Sequence, residues 1–323
     1  MSMIGISLQN RRQGSEKMQV SFLRSQLALL QSRKKWGLLY SLATVAGLFC
    51  IPGVAGSVAS ETEIPLLTQR ILPLPFISLL IATGMYILND LVDSDLDRAN
   101  GKKRPIPSGV VSKNQAWVFI LWTNALAVLL SIVTFNIMSV IMVVPMLAIG
   151  SLYSAPRVAL ADKFVIKTLS IAVFYMLCAV LGITSSYGIE LAAANPVVPI
   201  YAMLMLGMMI FISSVFNDLG DVKGDKAAGR RTIPIVIGRT NTVKMSMALV
   251  STMAAISWAT FAVGETGLIT AILTSSFSLI VAIRMTKSLK GLDDMEFMRK
   301  EHKKIFPLHL ILQSSLVIGI LLI

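Results

Sequence analysis

The feature that most constrains this chain is a series of nine apolar runs, each near the length a helix needs to cross a bilayer. About 20 mostly apolar residues span the hydrocarbon core as a helix. Residues 36–58, 72–92, 115–134, 136–153, 168–186, 196–217, 243–263, 267–284 and 305–323 approach that standard. The third and fourth runs are separated by almost nothing and predict a tight helical hairpin. Composition agrees: 55% of residues are hydrophobic and 14% charged, where a soluble domain carries about 25% charged. Mean hydropathy is +0.74. So much apolar surface needs lipid as its solvent. The expected fold is an all-α polytopic membrane protein of about nine transmembrane helices.

Lysine and arginine sort these runs into a topology. With nine spans, every one of the 29 basic residues except Arg70 falls on the side that holds residues 1–35. A wrong span count would scramble that sorting. The N-terminal segment and the connections after spans two, four, six and eight are therefore expected in the cytoplasm, with the cell membrane as the expected location. The net charge of +12 becomes a topology signal, and nucleic acid is not an expected partner. Residues 17–35 space Val20, Leu23, Leu27 and Leu30 three and four apart, as in a short amphipathic helix on the cytoplasmic face. Residues 1–35 carry no short apolar stretch of the cleavable-signal kind. Cys50, Cys178 and the methionines at 203–209 lie in apolar runs and read as packing.

One motif occurs twice. Span two ends in Asn89-Asp90-Leu91-Val92-Asp93-Ser94-Asp95-Leu96-Asp97-Arg98, and span six in Asn217-Asp218-Leu219-Gly220-Asp221-Val222-Lys223-Gly224-Asp225-Lys226. Each is followed by a basic block, Lys102-Lys103-Arg104-Pro105-Ile106-Pro107 and Arg230-Arg231-Thr232-Ile233-Pro234. The acidic blocks lie 128 residues apart. This is an internal repeat of four spans, an even number, so both copies point the same way and an axis along the membrane normal relates them. The halves are about 36–165 and 166–290, with a last helix at 305–323, all within one transmembrane domain at 36–323.

On a helix, with Asn89 at zero, Asp93, Asp97 and Asp90 fall at about 40°, 80° and 100°, while Asp95 points away. Asn217, Asp221, Asp225 and Asp218 repeat the arrangement. Gly220 and Gly224 leave that helix end slim enough for a partner to approach. Two acid clusters facing each other in a low dielectric repel, and divalent cations resolve the conflict. Carboxylate and amide oxygens suit Mg²⁺, which shares phosphate oxygens with its substrates. The neighbouring bases suit a diphosphate.

These motifs, with Lys102–Gly109 reading K-K-R-P-I-P-S-G, resemble those of the UbiA superfamily of intramembrane prenyltransferases. The likeness runs from span one to span nine, and it implies helices around a central cavity. It also implies Mg²⁺-dependent transfer of an isoprenyl group from a diphosphate donor to a lipophilic or aromatic acceptor. Carried over, Asn89, Asp93 and Asp97 form one metal cluster and Asp221 and Asp225 the other, with Asn217 and Asp218 in support. The catalytic set is Asp93, Asp97, Asp221 and Asp225. Lys102, Lys103, Arg104, Tyr153 and Arg157 would meet the diphosphate. Tyr153-Ser154-Ala155-Pro156-Arg157 stands where the family has Tyr-x-x-x-Lys, and Pro156 interrupts helical facing between its ends. Arg33-Lys34-Lys35 stands where many members have Arg-Pro.

Within such a site, Mg²⁺ and bases would stabilise the leaving diphosphate. Tyr86, Phe174, Tyr175, Phe211 and Phe216 are candidates to shield an allylic cation with their π faces. His302 and His309 lie near span nine, away from the motifs, and receive no role. The motif surroundings look most like enzymes acting on geranylgeranylglyceryl phosphate in ether-lipid synthesis, then aromatic quinone-precursor and chlorophyll-type enzymes. The reading from another class is a transporter of an anionic substrate, since repeats and charged helix ends also build transport sites.

Overall fold

The computed structural model describes residues 22–60, 64–99, 103–184 and 188–322, and all its regular elements are helical. They are α1 (Phe22–Phe49), α2 (Val54–Ser60), α3 (Ile64–Ile71), α4 (Pro73–Val92), α5 (Ser94–Ala99), α6 (Lys113–Val133), α7 (Ile137–Ser154), α8 (Ile166–Ile183), α9 (Ile189–Ala194), α10 (Val197–Ala227), α11 (Ile233–Ile237), α12 (Arg239–Ala262), α13 (Leu268–Ser288) and α14 (Met295–Leu321). Among the described residues, α4, α6, α7, α8, α10, α12, α13 and α14 are long and apolar enough to cross a membrane. The ninth span, α1, qualifies only together with α2, after a bend of 89°. Pro52 and a left-handed Gly53 (φ 80) make that bend, so the first span stops at Phe49 rather than near 58.

Local chemistry sets several other boundaries. Ser112 and Gln115 exchange hydrogen bonds as a capping box at the start of α6. Between α6 and α7, Phe135 takes φ 51 and is 83% exposed. Asn136 then caps α7 by accepting from the Met138 N–H and donates to the Thr184 carbonyl at 2.6 Å. This is the hairpin that the near-contiguous runs predict. Asp294 accepts from the Glu296 and Phe297 N–H groups and starts α14 ten residues before the apolar run begins.

The separate surface helix expected at 17–35 is not found where the chain is described. Residues 22–35 form the first half of α1; Val20 lies outside the described residues. Leu23 and Leu27 are exposed, while Ser25, Gln26, Leu29 and Arg33 face inward. Gln26 accepts from the Trp122 indole at 2.8 Å and donates to the Gln115 carbonyl at 3.2 Å. Polar partners inside the bundle thus outweigh the apolar stripe in setting which face of α1 turns in.

Among the described residues the nine long helices pack in the order α1–α4–α6–α7–α8–α10–α12–α13–α14 and back to α1, with α10 also against α14. The order of neighbours in α1–α7 recurs in α8–α13, as the repeat requires. At the centre the two leading helices, α1 and α8, cross backbone to backbone. A Cβ on Gly47 would stand 2.1 Å from the Ala179 carbonyl oxygen, and one on Gly182 would stand 2.0 Å from that of Thr44. Thr44 corresponds to Ala179 as Gly47 does to Gly182, so the contact is reciprocal, as across a two-fold axis. One to two turns from that crossing, Tyr40 packs its ring on Phe174 and Tyr175 in the core.

Two measurements follow. Gly182→Val is expected to cost about 1–3 kcal/mol or more through overpacking, read as a lower unfolding temperature in detergent. Gly56→Val, where a Cβ meets nothing, should stay within about 0.5 kcal/mol. In membrane vesicles, cysteines at Ser108 and Ala228 should react with an impermeant thiol reagent from the cytoplasmic side only, and one at Val263 from the opposite side only. Labelling of Ser108 and Val263 from the same side would contradict the nine-span topology.

Candidate active site

The two acidic motifs meet at one end of the ring. In the first, α4 stops at Val92, yet helical bonding continues through the break. The Asp93 N–H donates to the Asn89 carbonyl at 2.9 Å, and the Asp97 N–H to that of Asp93 at 2.8 Å. Asn89, Asp93 and Asp97 therefore keep a common side, and Asn89 Nδ2 donates to Asp93 Oδ2 at 3.2 Å. Asp95 turns away as the spacing predicts: its side chain is 76% exposed and meets Arg98. The second motif lies wholly on α10, with Asp218 and Asp225 buried, Asp221 half-buried and Asn217 exposed.

Basic side chains occupy the spaces between the carboxylates. Arg104 donates to Asp90 at 2.7 Å and to Asp97 at 2.6 Å. Asp90, 1% exposed, also takes a two-pronged bond from Arg33 of α1. Lys167 of α8 donates to Asp218 at 2.5 Å, so α1 pairs with α4 as α8 pairs with α10. Arg299 of α14 binds Asp221 Oδ1 at 2.9 Å and the Gly220 carbonyl at 3.1 Å. A Cβ on Gly220 would lie 2.7 Å from the Arg299 side chain, so the slim face of α10 admits this arginine.

Arg230 joins the halves. Its guanidinium donates to Asp93 at 2.6 Å and to Asp162, in the α7–α8 connection, at 2.8 Å, and lies 3.7 Å from Asp225. Burial works against its charge. The hydrogen bond to Asp93 and the charges of Asp93, Asp162 and Asp225 outweigh that and raise its pKa above the usual arginine range.

The remaining expected residues lie around this network. Tyr153 is buried, within reach of the charges on Lys167, Asp218 and Arg230. Pro156 breaks the helix as expected: α7 ends at Ser154, and Arg157 takes φ 76 and is exposed, parted from Tyr153. Lys103 is exposed, and Lys102 lies outside the described residues. Sequence reasoning missed Arg33, Lys167, Arg299, the reach of Arg230 to Asp93 and the anchoring role of Asp90. From the sequence Arg33, Lys167 and Arg299 read as topology charges, while Arg230 reads as part of the basic block suited to a diphosphate, with no sign of its reach to Asp93. Matching Arg33 and Lys167 across the repeat was the available signal.

The acid clusters' repulsion, assigned from sequence to divalent cations, is met here by arginine and lysine. Among the described residues no three acid, histidine or cysteine side chains gather into a ready ligand set. The donors nevertheless suit a hard cation. Asp218 Oδ2 and Asp225 Oδ2 are buried without a hydrogen-bond partner, a cost of about 1–3 kcal/mol each that a cation would remove. Carboxylate and amide oxygens are the ligands Mg²⁺ takes.

One turn deeper lies an aromatic layer. Trp36 meets Tyr86 (centroids 5.7 Å apart), His302 (6.2 Å) and Phe306 (5.4 Å), and Arg33 sits over the Tyr86 ring. Below it, Tyr40 packs on Phe174 and Tyr175, and Gln313 donates to the Tyr175 hydroxyl at 2.5 Å. Phe211 and Phe216 pack in the same core.

The profile of the UbiA prenyltransferase family matches residues 38–306. Digeranylgeranylglyceryl phosphate synthase of Methanoregula boonei is 32% identical over 212 residues, 64% of this chain and 68% of that protein. The Thermococcus sibiricus protein of the same name is 27% identical over 206 residues, 63% of this chain and 67% of its own. The solved UbiA homolog from Archaeoglobus fulgidus bound to GPP and Mg²⁺ shares the fold, with a TM-score of 0.65 and 18% identity, over 90% of this chain and 99% of that one.

Arg230→Ala should lower stability by about 1.5–3 kcal/mol, the worth of a hydrogen bond to a charged group, in thermal unfolding without added divalent cation. Asp95→Ala, outside the network, should shift it by no more than about 0.5 kcal/mol.

Proposed function

We propose, for a chain that belongs to the UbiA prenyltransferase family, that it transfers an isoprenyl group from a prenyl diphosphate to geranylgeranylglyceryl phosphate with Mg²⁺. The observation that carries this reading is the meeting of two acidic helix ends around Arg230, directly above an aromatic-lined interior. The names of the relatives support the acceptor, and the ligands of the Archaeoglobus homolog support the donor and the cation. Family membership places the chain among enzymes rather than transporters.

In this proposal Asp93 and Asp97, with Asn89, hold Mg²⁺ at one helix end, and Asp221 and Asp225, with Asn217 and Asp218, hold it at the other. When bound, the cation neutralises charge developing on the leaving diphosphate. Arg104 and Arg230, now on carboxylates, exchange those partners for diphosphate oxygens; both are planar forks suited to that geometry. On the motifs they belong to, Lys102, Lys103, Tyr153 and Arg157 are assigned to the same diphosphate. Arg33 and Lys167, held on Asp90 and Asp218, keep the helix ends in register. Below, Trp36, Tyr86, Tyr40 and Tyr175 exclude water from the allylic carbon and offer it π faces. The site faces the cytoplasm of the cell membrane, where water-soluble Mg²⁺ and diphosphate exchange freely.

Purified protein with geranylgeranyl diphosphate, Mg²⁺ and a panel of acceptors should yield a product heavier by one geranylgeranyl group only with geranylgeranylglyceryl phosphate, read by mass. EDTA should abolish it. Asp93→Ala and Asp221→Ala should each lower kcat about 100-fold or more with the protein still inserted and folded. Arg104→Lys should weaken donor binding about tenfold, the lower end of a lost charge-assisted contact, and leave the acceptor constant unchanged. Full activity in either aspartate variant would refute the two-cluster site.

A further inference from the structure

Two histidines sit in α14, and their surroundings differ. His309 is sealed in the core, 2% exposed. His302 is half-buried and faces the ring interior, its ring stacked on Trp36 and its Nε2 3.5 Å from the Ser213 hydroxyl.

Its depth is what matters. Arg299, one turn earlier on α14, holds Asp221 of the acid layer. On α1, Arg33 binds Asp90 and Trp36 follows one turn later. On α4, Tyr86 lies one turn before Asp90. Three helices thus place a charged side chain at the acid layer and Trp36, Tyr86 or His302 about 4.5–6 Å further in. If the diphosphate is bound at the acid layer, the carbon it leaves lies at the level of these three rings, and the acceptor oxygen must reach that carbon. Of the titratable groups in this layer, imidazole is the one whose ordinary pKa lies near neutrality; a tyrosine hydroxyl lies near 10.

We propose that His302 is the base that takes the acceptor's proton, with Ser213 fixing the orientation of its ring. The inference rests on the prenyl-transfer reading above. In the step, a lone pair of the acceptor hydroxyl oxygen forms the new bond to C1 of the isoprenyl group. The C1–O bond to diphosphate breaks, and its electron pair leaves with the diphosphate. With Nε2–H held by the Ser213 hydroxyl, the acceptor's hydroxyl proton passes to Nδ1 of His302, and the imidazolium returns it to water when products leave. The charged and titratable groups around His302 are Asp221 of α10, Arg299 and His309 of its own helix, and Arg33 of α1 and Tyr86 of α4 across Trp36.

The test separates donor binding from transfer. In His302→Gln, binding of a non-cleavable geranylgeranyl thiodiphosphate with Mg²⁺ should stay within about twofold of wild type, while kcat for transfer falls about 100-fold, the usual worth of a general base. Added imidazole should restore part of the rate in His302→Ala, which a packing role would not allow. Ser213→Ala, a small change with little risk to folding, should lower kcat about tenfold through a misplaced ring, again with donor binding intact. A wild-type transfer rate in His302→Gln overturns the assignment, as does weakened donor binding without imidazole rescue. Failure of the wild-type protein to bind the thiodiphosphate would instead refute the prenyl-transfer reading itself.

Discussion

Carboxylates buried at the end of an apolar helix bundle must be neutralised, and this requirement organises the site. Isolated charges in such surroundings carry a desolvation penalty of several kcal/mol. The chain meets it by placing a base against nearly every acid of the two motifs: Arg33 and Arg104 on Asp90, Arg104 on Asp97, Lys167 on Asp218, Arg299 on Asp221, and Arg230 on Asp93 and beside Asp225. The same arrangement suits a site that receives an anion and a cation together. A diphosphate can take over the bases while a divalent cation takes over the acids, with little change in net buried charge.

The two-fold repeat explains why so many charges converge. Each half supplies a leading helix with a base, α1 with Arg33 and α8 with Lys167, and a second helix with the acids, α4 and α10. The close crossing at Gly47 and Gly182 sets the leading helices back to back, and this brings both acidic helix ends to the same side of one interior. The connections after the acids then differ in use. Arg104 stays within its own half, whereas Arg230 crosses to Asp93 in the other. That asymmetry turns two copies of one motif into a single site.

Much of this could be read in the chain. The hairpin at 134–136, the break at Pro156, the outward turn of Asp95 and the slim face at Gly220 all follow from local sterics or helical spacing, and all appear. The reading failed where it assigned one cause to a residue that serves two. Arg33, Lys167 and Arg299 satisfy the charge bias of the loops, and that explanation is complete enough to hide their contacts with the acids. Residues 22–35 misled for a related reason. The stripe of Leu23 and Leu27 has amphipathic spacing, but the polar face docks through Gln26 onto Trp122 and Gln115.

The sequence by itself determined that the chain folds into long apolar helices, and which acids recur at the ends of two of them. These depend on apolar run length and helical period, both local along the chain. Tertiary structure alone decided which base meets which acid, that Arg230 joins the two halves, and that His302 of the last helix lies beneath Asp221 of α10 rather than apart from the motifs. Long, flexible arginine and lysine side chains can reach several partners. Which of them they reach is fixed only when helices far apart in sequence are packed side by side.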